Sequence, residues 1–154
     1  MNIVMVNNNG MEFSVRRAKP QDYESLIRLL GKFVGNEDRY KNKDNDSVSK
    51  VLKNRNCYID VAVVKGRIIG FITYSIRSVI RYPAPILEVE EFFVLEEFRR
   101  LKIGKRLIER AIEYSKKKGC YYIFLASSKE RVEAHGFYKN MNFDEYAFHY
   151  RRKL

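Results

Sequence analysis

A chain of 154 residues with 45% hydrophobic and 14% aromatic content is one ordinary domain with a real core, which excludes a disordered protein. No apolar run is long enough to cross a bilayer and no signal-peptide pattern opens the chain, so a cytoplasmic protein is expected. The formal charge of +11 asks for an anionic partner (nucleic acid, a membrane surface or a phosphate-bearing cofactor), although most of the thirty Lys and Arg read as solvated surface.

Residues 1–11 read as a polar, flexible leader, with Met11 as an alternative start. The domain proper spans 12–154. EFSVRRA, residues 12–18, alternates polar and apolar as a half-buried strand does. Pro20 suits a helix's first turn, and Tyr23, Leu26, Ile27 and Leu30 follow as a core-facing stripe. Residues 35–47 carry no periodicity and read as a charged loop, followed by a short helix from about Val48 to Asn54. CYIDVAVV and RIIGFITYSI, separated by Lys65-Gly66, form a predicted hairpin.

Pro83 and Pro85 precede the strand ILEVEEFFV. A helix from about Lys102 to Lys118 follows, with Ile103, Leu107, Ala111 and Tyr114 on its inner face and a stop at Gly119. CYYIFLA is a short apolar strand. Ser127 and Glu130 carry a capping-box signature for a last helix, with Ala134, Phe137, Tyr138 and Met141 inward and Asn142 at its exit. FDEYAFHYRRKL reads as a final aromatic strand. The expected architecture is a single α/β domain in the order β-α-α-β-β-β-α-β-α-β. Cys57 and Cys120 lack metal-ligand spacing and read as buried thiols, with one disulfide left open; His135 and His149 have no ligand partners, so no metal is expected.

The most informative stretch is FFVLEEFRRLKIGKRLI. A strand running into a helix aims the helix's unpaired N–H groups and positive dipole end at one spot. Arg99, Arg100, Lys102 and Lys105 add full charges there, and Gly104 lets a ligand approach the backbone. The arrangement suits a diphosphate.

This stretch resembles the acyl-CoA-binding segment of the GCN5-related N-acetyltransferase (GNAT) superfamily, with Arg99 opening its Arg/Gln-x-x-Gly-x-Gly/Ala motif and Gly104 closing it. Lys102 stands where the first glycine is usual. VRRAKPQDYESLIRLL, VVKGRIIGFITY and RVEAHGFYKNMNF resemble three further parts of the family in the same order, so the resemblance spans most of residues 12–152. It implies a mixed central sheet with helices on both faces, and acetyl-CoA as cosubstrate. Backbone groups of Phe92, Phe93 and Val94 would hold the pantetheine arm, with Phe93 or Val94 N–H polarising the thioester. N–H groups from Arg100 through Leu101, Lys102, Ile103 and Gly104 to Lys105 would hold the phosphates.

Transfer to a primary amine needs a base, an oxyanion donor and an acid for the departing thiolate. Regular alternation places Glu88 and Glu90 on one face of ILEVEEFFV and Glu91 on the other. The resemblance adds a bulge in this strand and is closest there to diamine acetyltransferases. It implies Glu90 as base, with Glu91 next, and Tyr138 as acid. The acceptor is a small-molecule or protein amine; a homodimer stays open. Two rival readings remain: a basic nucleic-acid-binding module, disfavoured because the eleven tyrosines fall mostly on apolar faces, and a family member that binds CoA without catalysis.

Overall fold

In the computed structural model, residues 3–6, 10–36, 38 and 47–154 are described. Six strands form one sheet in the order β1-β2-β3-β4-β5-β6: β1 Ile3–Val6, β2 Glu12–Arg17, β3 Cys57–Val64, β4 Arg67–Arg77, β5 Ile86–Val94 and β6 Tyr122–Leu125. The sheet is mixed. Among the described residues the α-helices are α1 Tyr23–Val34, α2 Ser47–Lys53, α3 Ile103–Lys117 and α4 Val132–Asn140. Residues 1–124 form one compact unit and 125–154 a second.

Local chemistry accounts for most of these boundaries. Lys65 and Gly66 both take positive φ, 46° and 78°, which is the twist a two-residue hairpin turn demands between β3 and β4. Gly35 and Gly119 end α1 and α3 in the left-handed region. Asn142 does the same after α4, at φ 60°.

Helices cover both faces of the sheet. On one, the Phe33 ring of α1 meets Phe71 and Phe93, with centroids 6.2 and 5.9 Å away, and α2 packs on β3. On the other lies α3, whose Ile103, Leu107, Ile108 and Ala111 are buried.

The second face holds a charged cluster. Asp60 of β3 is fully buried and receives a hydrogen bond from Tyr74 Oη at 2.7 Å. Arg110 of α3 approaches its Oδ1 at 3.1 Å and Arg17 of β2 at 3.5 Å. Neither guanidinium aligns a hydrogen bond onto Oδ1, so the two contacts are Coulombic rather than directional. The Arg17 guanidinium also lies 4.8 to 5.5 Å from the ring centroids of Tyr58, Tyr74 and Tyr114. Burial and then the Asp60 charge push the Tyr74 phenol far up, so it remains a donor.

Three sequence expectations change. The stretch read as a flexible leader contains β1, paired antiparallel with β2 from Ile3↔Val15 to Val6↔Glu12. The 12–154 boundary therefore leaves out one strand of the sheet. FDEYAFHYRRKL is neither strand nor helix, and Tyr146, Phe148 and Tyr150 are exposed. Alternating aromatics make a strand only when an edge pairs with them. Ser127 does not cap α4, because the chain turns until Arg131 takes the N-cap position; Ser128 Oγ instead hydrogen-bonds Glu130. Cys57 and Cys120 are free thiols, as expected, but half-buried rather than buried. Most of the 35–47 loop lies outside the described residues.

Asp60→Ala should leave the half-buried Arg17 and Arg110 without their shared anion and Tyr74 Oη without its acceptor, and cost about 3–5 kcal/mol. Urea unfolding of the two proteins measures the difference.

Candidate active site

One irregularity sets the geometry. β4 and β5 pair from Gly70↔Val94 to Thr73↔Glu91, and then from Tyr74↔Val89 to Arg77↔Ile86. Glu90 opposes no residue and is a β-bulge. The extra residue changes the strand's phase. Leu87 and Val89, both buried, share the face of Tyr74 and α3, whereas Glu91 and Phe93 share that of Thr73, Phe71 and α1. Regular alternation would have put Val89 and Glu91 on one face and driven a carboxylate beneath α3. The bulge instead gathers Glu88, Glu90 and Glu91 on the α1 and α2 side.

The three acids differ in their surroundings. Glu88 is half-buried and paired with Arg77, Oε2 to Nη2, at 2.6 Å. Glu90 is exposed and accepts a hydrogen bond from Ser75 Oγ at 2.8 Å. Glu91 is half-buried. Thr73 Oγ1 donates to the Glu91 carboxylate and accepts from the Glu91 backbone N–H at 3.0 Å. Burial raises the Glu91 pKa, the Thr73 hydrogen bond opposes that rise, and the neighbouring Glu90 charge adds to it. Cys57 on β3 reports the same field: burial first, then Glu90 and Glu91, push its thiol up.

Glu91 opens onto a cavity of about 70 Å³ between the sheet, α1 and α2. Its walls are Leu26, Leu30, Val48, Val51, Ile59 and Phe71, and its polar lining is Ser47, Thr73 and Glu91. Thr73, Ser75, Ser47 and Cys57 were not among the sequence candidates. For Thr73 and Ser75 the one signal is a hydroxyl on a strand otherwise lined by buried residues, and Ser47 and Cys57 carry no such signal.

The basic corner lies beyond the end of β5. Val94 and Leu95 are buried, residues Glu96–Phe98 form a turn, and Arg99 Nε hydrogen-bonds the Val94 carbonyl at 3.1 Å. Arg100 and Lys102 both take left-handed backbone, φ 59° and 63°, and Lys102 is the N-cap of α3. A left-handed residue followed by the helical Ile103 is the geometry of an anion-binding nest. The N–H groups of Ile103, Gly104 and Lys105 occupy the first turn, where no intrahelical acceptor exists. Lys102 and Lys105 are exposed, while Leu101 and Gly104 are half-buried. This corner fits a diphosphate: cations surround a positive helix end.

Gly104 has a packing reason as well as room for a ligand. A Cβ there would stand 3.0 Å from Phe92 Cζ and 3.8 Å from Val94 Cγ2, so the first turn of α3 rests on the Phe92 ring. The usual glycine at position 102 is likewise explained, because the backbone there is left-handed.

The family profile described as the acetyltransferase (GNAT) family matches residues 23–143. The chain belongs to the GNAT family. N-Acetyl transfer is the activity this membership assigns to it. It is 26% identical over 140 residues to the aminoalkylphosphonate N-acetyltransferase of Salmonella typhimurium, covering 91% of this chain and 90% of that one. Its fold resembles that of a transcriptional regulator from Bacillus halodurans, with TM-score 0.83, 22% identity and coverage of 92% and 99%. It also resembles the aminoglycoside N-acetyltransferase AAC(6')-Iy in complex with CoA, with TM-score 0.79, 22% identity and coverage of 94% and 97%.

Tyr138 belongs to the second unit. It is half-buried on α4, with the rings of Phe137 and Phe143 at 5.5 and 6.1 Å. Burial raises its pKa and Arg131 partly offsets the rise, so the phenol is protonated at neutral pH. Among the described residues no cluster of His, Cys, Asp and Glu has the arrangement of a metal site, and no helix is long and apolar enough to cross a membrane.

Lys102→Val should destabilise the protein by about 1–2 kcal/mol, because a β-branched residue resists the left-handed region, whereas Lys102→Gly should hold or raise stability. Denaturant midpoints of the two variants check this.

Proposed function

We propose that this chain moves an acetyl group from acetyl-CoA to a small primary amine by direct attack, with Glu91 as general base, Glu90 as its electrostatic partner and Tyr138 as general acid. The observation that carries the base assignment is the half-buried Glu91 carboxylate, held by Thr73 and opening onto the cavity. An alkylammonium has a pKa near that of lysine and must lose a proton before it attacks. A carboxylate whose affinity for protons is raised by burial is better matched to that step than an ordinary one. Glu90, exposed and next in sequence, adds negative potential that draws the cation in. This reading places Glu91 ahead of Glu90, the reverse of the order that the sequence resemblance implies.

The remaining groups have distinct tasks. Backbone of Phe92, Phe93 and Val94 pairs with the pantetheine arm and presents an N–H to the thioester oxygen. The nest from Arg100 to Lys105 binds the diphosphate. Tyr138 keeps its proton at neutral pH and delivers it to the departing thiolate. Support for acetyl-CoA as the donor comes from the fit of the basic corner and from the CoA complex of AAC(6')-Iy. The Salmonella relative is named for an aminoalkylphosphonate, which supports a small amine as acceptor.

Release of CoA thiol measures the reaction. Glu91→Gln should lower kcat by ~10²–10⁴-fold. The wild-type rate should rise with pH through a value above the ordinary glutamate pKa, because only ionised Glu91 accepts the proton, and the variant should lack that acidic limb. A larger loss in Glu90→Gln would return the base role to Glu90. Equal turnover in Tyr138→Phe and wild type would remove the acid.

A further inference from the structure

The cavity beside Glu91 has a composition that discriminates among amines. Six of its nine lining residues are Leu, Ile, Val or Phe, and among the described residues no Lys or Arg lines it. A phosphonate brought there would find apolar walls and a carboxylate, and the polyhydroxylated ring of an aminoglycoside would lose its hydrogen bonds to water without replacement. Size adds a second restriction. A dry cavity of roughly 150 Å³ accommodates benzene, and this one measures about 70 Å³. A chain of a few methylenes suits this volume, whereas an aromatic ring would have to extend through its open side.

Two polar features face this apolar space. Glu91 supplies a negative charge at one wall, opposite in sign to an ammonium. Ser47 Oγ, at the start of α2, is buried and has no hydrogen-bond partner among the described residues. A buried hydroxyl left unsatisfied costs free energy, and an N–H group arriving in the cavity would satisfy it.

We propose that this cavity selects a short aliphatic primary amine as the acetyl acceptor, with Glu91 and Ser47 meeting the ammonium and the Leu, Val and Ile walls meeting its methylenes. The inference rests on the acetyl-transfer reading and adds a substrate class to it. Leu30 and Val51, both half-buried, set the cavity's width from α1 and α2.

The test compares CoA release with n-butylamine, phenethylamine, aminoethylphosphonate and sisomicin. Wild type should favour n-butylamine over phenethylamine by about tenfold or more in kcat/KM, the scale of discrimination that apolar pockets achieve. Leu30→Ala should erase that preference, and Val51→Phe should raise KM for n-butylamine, both without change in KM for acetyl-CoA. The two variants alter opposite dimensions of the cavity, so a folding defect in one leaves the other informative. Faster turnover of aminoethylphosphonate or sisomicin than of n-butylamine overturns the inference while acetyl transfer stands. CoA release with none of the four, together with no binding of acetyl-CoA, removes the acetyl-transfer reading itself.

Discussion

A single extra residue in β5 governs the site. A strand buried on both faces must decide at each position which helix its side chain meets, and period-two alternation leaves no freedom once the register is set. Leu87 and Val89 are committed to the α3 side, and Phe93 to the α1 side. These commitments are out of phase, and Glu90 absorbs the difference by opposing nothing on β4. Apolar packing at the two ends of the strand therefore holds Glu91 where an unpaired carboxylate would otherwise be expelled. The Thr73 hydroxyl lessens the cost of its partial burial, since a carboxylate in low dielectric needs a donor.

Charge is divided along the same strand. The net charge is strongly positive, yet the bulge collects three acids on one face. Beyond the end of β5, the turn and the N-terminus of α3 concentrate the opposite sign around two left-handed residues. One strand thus joins an acidic surface suited to a cationic acceptor to a basic corner suited to a diphosphate. On the proposed reading, the separation lets a basic protein accept an amine: local potential near Glu90 and Glu91 acts at the site, and net charge only on the approach. Beneath both regions, Asp60 ties β2, β3 and β4 to α3 through Arg17, Tyr74 and Arg110, which fixes the helix whose first turn forms the corner.

Much of this was legible in the residues. Lys65-Gly66, Gly119 and Asn142 mark places where backbone needs positive φ, and each residue type tolerates it. The basic strand-to-helix corner was visible because cations and a glycine cluster within seven positions, 99–105. The phase of β5 was not. LEVEEFFV alternates acceptably in either register, and only the partners Tyr74 and Thr73 show where the slip falls. The cavity was hidden for a related reason: its lining comes from α1, α2, β3, β4 and β5, and no local pattern announces that Ser47 will face Glu91. At the C-terminus the aromatic alternation of FDEYAFHY was read as a strand, but pairing needs an edge that residue types do not specify.

The claim beneath all of this is that the bulge holds Glu91 in a partly desolvated position where it can take a proton from an amine. Carbon-detected NMR titration of the glutamate side-chain carboxylates measures that position directly. The account predicts that the Glu91 resonance titrates above the ordinary glutamate range. A Glu91 that titrates at or below the ordinary value would contradict it.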